Sequence, residues 1–555
     1  MKIPVSELIV RFMERLGIRH IFGMPGAHIL PVYDALYDSS IRTVLAKHEQ
    51  GAAFMAGGYS RASGGIGACI TTAGPGATNL VTGIANAYVD RQPILVITGE
   101  TSTHIFGRGG LQESSGEGGS IDQSALFQSI TRYARLVERT DYLVNILNRA
   151  ARILLSHDPG PVLLSFPYNL QKEEVDESLL DELVTRPPVQ VSRRDSVAVE
   201  ALTDLLLEAE NPVIVAGYGC IRSGAQPQVE ALSERLQAPV TTSLKAKGVI
   251  SEQSALSLGS LGVTSSDHAY RYIVEHADLV LFLGAGFNER TSYLWDASLL
   301  ENCRIAQVDH DPEQLEKVFR ADVAIAGDIG DILDGLLEEL DQREVVRVPA
   351  FDGPGVARLQ ERKRPGSNPL FPGGVDLVEY FFARLEVNFP EELMVFDDNI
   401  IYAQNFFNVS AHNRYFSNSG ISSLGHAIPA AIGARFAEAA PTFAILGDGG
   451  FQMCCMELMT AVNYRIPLNV VLFNNSTMGL IRKNQHQQYG DRFIDCDFTN
   501  PDYAELARAF GIGYRHVETD ADVDALFEEH DLVGGINLVE IMVDRDAYPN
   551  YSSRR

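Results

Sequence analysis

Residues 442–446, Thr-Phe-Ala-Ile-Leu, run into Gly447-Asp448-Gly449-Gly450, and a second apolar run, 468–473, ends on Asn474-Asn475. Between them, residues 451–464 carry apolar side chains at helical spacing. Apolar run, glycine turn, helix and apolar run predict a parallel crossover. Such a crossover constrains the fold severely, because its strands must be buried on both faces under helices. The same unit brings Asp448 and Asn475 to the carboxyl edge of the sheet. A carboxylate and an amide oxygen there suit a hard divalent cation, and glycine amides at the helix start suit a phosphate. The unit predicts a metal–diphosphate site. The plainer alternative is an ordinary crossover with a Gly turn and an Asx turn.

The chain has 555 residues, too many for one core. The expected fold is α/β, with three doubly wound parallel-sheet domains over residues 1–172, 190–342 and 372–545. Expected strands lie at 17–23, 43–46, 67–72, 94–98 and 161–166 in the first domain. In the second they lie at 212–216, 240–242, 279–283, 305–308 and 323–326. Residues 171–197, with Pro187-Pro188, and 348–374, rich in Pro, Gly and basic residues, are the expected linkers. A weak echo joins the outer thirds: Ala73-Gly74-Pro75-Gly76 and Gly447 to Gly450 each precede a helix, a proline and a strand. The net charge of −27 argues against nucleic acid or an anionic membrane as partner. Six cysteines without a CxxC pair fit reduced thiols in a cytoplasmic protein. No apolar run approaches the length of a membrane span, and no signal peptide is visible.

A second part of the chain points the same way. Residues 43–46 lead into Lys47-His48-Glu49-Gln50-Gly51-Ala52-Ala53, then Gly57-Gly58-Tyr59, then Thr71-Thr72-Ala73-Gly74-Pro75-Gly76-Ala77-Thr78-Asn79. By itself Glu49 reads as a first-turn partner of the helix dipole. Together with the Gly-Asp-Gly…Asn-Asn unit, the ensemble resembles the thiamine-diphosphate enzymes of the acetolactate synthase and pyruvate decarboxylase superfamily. The resemblance extends to Gly23-Met24-Pro25-Gly26, Leu30-Pro31-Val32-Tyr33-Asp34 and Asn500-Pro501-Asp502-Tyr503, and covers nearly the whole chain.

The resemblance implies thiamine diphosphate and Mg²⁺ as cofactors. In the family a glutamate bonds the aminopyrimidine and favours the tautomer that activates the thiazolium carbon; Glu49 takes that position. Leu424, in Ser419-Gly420-Ile421-Ser422-Ser423-Leu424-Gly425-His426, takes the position of the apolar wedge that bends the cofactor, and the Ser422 carbonyl that of the amino-group acceptor. Asp448, Asn475 and the Thr477 carbonyl would bind the metal. Gly449, Gly450 and Gly479 would approach the diphosphate, with Asn399, Gly74 and Asn79 as further cofactor contacts. Asp397-Asp398-Asn399 replaces a Gly-Gln-His-type segment of the family, and how it serves the phosphate is open at this point. The family's sites form between subunits, which implies a homodimer or homotetramer.

Gln112 matches a glutamine that faces the thiazolium. Gly26-Ala27-His28-Ile29 is similar to the quartet of benzaldehyde lyase, where the histidine acts on the adduct hydroxyl; His28 is the corresponding catalytic candidate. The stretch 114–120 has no counterpart in that pattern. Asn484 stands where acetolactate synthases carry a tryptophan that recognises the larger 2-oxo acid, so it is the substrate candidate. Arg482 and Lys483 either meet a carboxylate or stand as exposed helix charges. Gly284-Ala285-Gly286-Phe287-Asn288-Glu289-Arg290 and Asp309-His310-Asp311-Pro312 are similar to the flavin-binding region of acetolactate synthases and leave bound FAD open. The expected activity is decarboxylation of a 2-oxo acid, pyruvate first, with transfer of the acyl carbanion to a carbonyl acceptor. Benzaldehyde-lyase-type cleavage and simple decarboxylation are the neighbouring alternatives. A non-catalytic cofactor-binding regulator is the alternative of another class, and intact Glu49, Asp448 and Asn475 argue against it.

Overall fold

The computed structural model describes residues 1–187, 195–347, 358, 368 and 370–551. Residue 190, the expected start of the second domain, Pro188 of the first linker and most of the second linker lie outside the described residues.

Three six-stranded sheets carry the fold, and their strands pair in parallel. The first runs Arg42–Leu45, His20–Gly23, Gly67–Thr71, Ile94–Glu100, Val162–Pro167, Tyr133–Leu136. The second runs Ser257–Ser260, Val240–Thr242, Pro212–Ala216, Leu279–Leu283, Arg304–Asp309, Val323–Ala326. The third runs Arg414–Ser417, Met394–Asp397, Thr442–Gly447, Leu468–Asn474, Ile536–Met542, Gly513–Val517. Pure parallel pairing demands burial on both faces, and Leu468–Asn474 is buried at every position. A short antiparallel ribbon joins Lys2–Pro4 to Glu174–Asp176.

In the third sheet the chain steps outward from Met394–Asp397 to Arg414–Ser417, then returns on the other side at Thr442–Gly447. That reversal opens a crevice beyond the carboxyl ends of Met394–Asp397 and Thr442–Gly447, the place where such sheets bind ligands. The helix after the glycine turn starts at Asp448, earlier than its apolar spacing predicts. It breaks into a 3₁₀ turn at Cys455–Glu457 before resuming as Leu458–Tyr464. Its glycines are there for room: a Cβ at Gly450 would lie 2.6 Å from Asp398 Oδ2.

The first and third units are locked through two helices, Glu49–Ser63 and Ala427–Ala437. They cross at glycines. A Cβ at Gly58 would lie 1.9 Å from the Ala430 carbonyl oxygen, and one at Gly433 would lie 1.9 Å from that of Met55. Backbone meets backbone there, and a single apolar core runs from Phe22 and Val96 to Phe396 and Leu472. All six cysteines are free, and Cys454 packs its thiol towards the Gly450 carbonyl. No helix among the described residues is long and apolar enough to cross a membrane.

Candidate active site

At the crevice of the third sheet lies a cavity of about 270 Å³. Asp448, Asn475, Thr477, Gly449, Gly450, Gly479, Asn399 and Leu424 all line it. Asp448 is 1% exposed. Its Oδ2 accepts from the amides of Ser476 at 2.6 Å and Asn475 at 3.2 Å, and from Asn500 Nδ2 at 2.9 Å; Oδ1 accepts from Gly449 N at 3.0 Å. Burial raises its pKa while these donors oppose the rise. Asn475 Oδ1 accepts from Thr477 N at 3.2 Å, which fixes the amide beside the carboxylate. Asn500 also donates to Asn474 Oδ1 at 2.8 Å, so one side chain ties both ends of the motif. Sequence reading flagged Asn-Pro-Asp-Tyr as family-like and gave Asn500 no role.

The described residues form no cluster of three or more His, Cys, Asp or Glu able to hold a metal. The Asp448 carboxylate, the Asn475 amide and the Thr477 carbonyl belong to residues on the cavity wall whose oxygens could meet a cation. That set fits an ion that brings its remaining oxygens on a phosphate ligand, as Mg²⁺ commonly does. The glycine walls fit a diphosphate, since they leave backbone open where Cβ atoms would intrude.

Asp397 does not line this cavity; Asp398 does, with its carboxylate taken up by backbone donors. Asp398 turns towards the Leu424 loop and accepts from Gly425 N at 2.7 Å and His426 N at 3.0 Å. Asp397 accepts from Ile400 N at 2.5 Å and from the Tyr415 hydroxyl. Burial pushes Asp398 up to about 6 and Asp397 up to about 7. Asp398 thereby braces the loop bearing Leu424, while Asp397 ties its strand end to Ile400 and Tyr415. Asn399, at φ 69°, accepts from Arg290 Nη1 at 2.8 Å. Ser422, at φ 55°, lines the neighbouring middle-domain cleft rather than this cavity.

The first unit gathers another group. Glu49 opens its helix and accepts from Asn79 Nδ2 at 2.9 Å. His28 Nδ1 lies 3.2 Å from Gln112 Oε1, which also accepts from Thr72 Oγ1 at 3.3 Å. Gly74, at φ 61°, lets the Gln112 backbone approach, and its amide donates to Ser114 Oγ. Behind them Glu100, fully buried, accepts from Thr101 N and Ser114 N, and burial pushes it up to about 7. Sequence reading missed Glu100 because it ends a strand like any other residue. Within one chain neither Glu49, His28, Gln112 nor Asn79 lines the Asp448 cavity. Glu457 takes the amides of Lys47 and His48, tying the Glu49 turn to its own third unit.

Arg482 and Lys483 are buried, so the reading as exposed helix charges is corrected. Arg482 pairs with Asp497 at 2.6 Å and Asp546 at 3.2 Å and stacks on Phe493. Lys483 Nζ sits 3.5 Å over the Tyr551 ring and 3.5 Å from Asn484 Oδ1. Asn484 is half-buried on the same helix, Gly479–Tyr489.

Three family models match along the chain. They are the N-terminal TPP binding domain (residues 3–125), the central domain (199–336) and the C-terminal TPP binding domain (399–541) of thiamine pyrophosphate enzymes. The probable acetolactate synthase large subunit of Methanocaldococcus jannaschii is 32% identical, over 97% of this chain and 92% of its own. The acetolactate synthase of Arthrospira platensis is 31% identical over 98% and 94%. The isozyme 2 large subunit of Escherichia coli is 30% identical over 97% and 95%. The fold, the Asp448 cavity and these matches define a thiamine pyrophosphate enzyme. Within that class, the chain belongs to the acetolactate synthase-like family.

Proposed function

We propose that the protein decarboxylates a 2-oxo acid, pyruvate first, and joins the acyl unit to a carbonyl acceptor, using thiamine diphosphate and Mg²⁺. The observation that carries this reading is buried Asp448, tied to the Asn475 amide and to Asn500, beside half-buried Asn475 among glycine walls. Bound there, the cofactor would supply the electron sink that decarboxylation requires. Asp448, Asn475 and the Thr477 carbonyl would hold the cation, and Gly449, Gly450 and Gly479 would admit the phosphates. Leu424, set by Asp398, would support the cofactor's bend. Glu49, oriented by Asn79, would share a proton with the pyrimidine, and His28 with Gln112 would move a proton at the substrate oxygen. Asn484 is the proposed acceptor contact.

A second copy is part of the proposal, because the Glu49 group and the Asp448 cavity do not meet within one chain. Several relatives are named large subunits, which fits an assembly. The middle-domain cleft, about 780 Å³ and walled by Gly219, Gly284 and Asp309, suits a nucleotide, and FAD is the proposed occupant. Visible absorbance of the purified protein tests that part.

Feeding pyruvate with and without aldehydes tests the reaction. Acetolactate or an acyloin is the expected product. Acetaldehyde alone would replace the reading with a decarboxylase, and peroxide with an oxidase.

A further inference from the structure

A diphosphate with one divalent cation beside Asp448 keeps a net negative charge, so a cationic side chain at the site is favourable. The helix that follows the motif looks like the source, but Arg482 and Lys483 are both committed to the C-terminal segment. Of the residues lining the Asp448 cavity, one alone is basic: Arg545. It comes from the far end of the chain. The strand Ile536–Met542 pairs in register with Leu468–Asn474, Met542 opposite Asn474, and Val543 N donates to the Asn474 carbonyl. Arg545 therefore leaves the sheet at the same carboxyl edge as Asn475.

The segment around it is fixed on both sides. Asp544 accepts from Asp546 N at 2.9 Å, and Asp546 takes Arg482 and the Tyr548 hydroxyl. Tyr548 stacks on His486, and Asn550 N donates to the Leu370 carbonyl at 2.6 Å. Ala547, Tyr548 and Pro549 form a wall of the cavity. Among the described residues, exposed Arg545 makes no hydrogen bond or ion pair, and its charge reaches only Asp497 and Asp546, both already paired with Arg482. An exposed guanidinium carried by a pinned turn at the mouth of an anion site is free to reach a phosphate for bidentate contact.

We propose that Arg545 binds the phosphate tail of the cofactor. The assignment rests on the thiamine-diphosphate reading above and adds a ligand drawn from the C-terminal segment.

Calorimetric titration of the full-length protein with thiamine diphosphate and Mg²⁺ tests it on R545A, R545K and the unaltered chain. Arg545→Ala should weaken cofactor binding about ten- to a hundredfold, the usual worth of one charge-assisted hydrogen bond. Arg545→Lys should recover part of the loss, and the pyruvate KM at saturating cofactor should stay the same. Unchanged cofactor affinity in R545A would overturn the proposal. So would unchanged affinity with a raised pyruvate KM, which would place the cation on substrate instead. The melting temperature without cofactor should stay close to that of the unaltered chain, because Arg545 is exposed and its only neighbours in charge among the described residues are Asp497 and Asp546, which keep their pairing with Arg482. Failure of the unaltered chain to bind thiamine diphosphate would overturn the functional reading itself, and this assignment with it.

Discussion

The Asp448 cavity and the Glu49–His28–Gln112 group are built in opposite ways. The first is written almost continuously along one crossover, with Asp448 and Asn475 at adjacent strand ends and closed by half-buried donors. The second is gathered from three separate loops on a face that leaves large apolar side chains such as Leu30, Leu45 and Leu111 exposed. A region that satisfies its own polar groups is finished within one chain. A region with its chemistry at an apolar, open face is half of something, and the proposed second copy supplies the remainder.

Asp448→Ala strikes the finished half and should have the largest effect. Magnesium-dependent binding of thiamine diphosphate should fall at least a hundredfold, as calorimetry would read, because the carboxylate proposed to hold the cation is gone. Glu49→Gln strikes the open half. It should leave cofactor affinity near normal while turnover drops about 10²- to 10⁴-fold, the usual range for a proton-transfer group. Mixing the two inactive variants under conditions that exchange subunits sharpens the contrast. Activity should reappear if the halves meet between copies; a mixture that stays inactive would place both halves in one chain.

Smaller effects separate the junction from the site. Gly58→Ala puts a methyl against the Ala430 carbonyl and should cost about 1–3 kcal/mol of stability, read as a lower melting temperature. Glu100 gives a pH signature. Its folded pKa, raised from 4.5 to about 7, means the native state keeps a proton that the unfolded chain releases. Its contribution is therefore full below about pH 4.5 and fades as pH rises towards about 7. Glu100→Gln should flatten that decline in melting curves recorded across the window.

Legibility in the sequence follows the same divide. Strands such as Pro212–Ala216 and Leu279–Leu283 were plain because central parallel strands are apolar throughout. Tyr133–Leu136 and Ser257–Ser260 escaped notice, being edge strands without such a run. The motif placed Asp448, Asn475 and the glycines around one cavity because contiguous residues share a strand end. It was silent on Asn500, on Asp398 turning to the Leu424 loop and on Arg482 meeting Asp546. Those contacts join residues 27 to 64 positions apart, and no local periodicity encodes them.

The Tyr551 ring lies over the Lys483 ammonium, and burial holds that group down at about 8. An amine kept partly neutral and out of water has the makings of a built-in probe. While the tail stays seated, acylating reagents should find this lysine unreachable; once the terminus lifts, they should mark it promptly. Time-resolved labelling at one position would then follow the undocking of the very segment that carries Arg545.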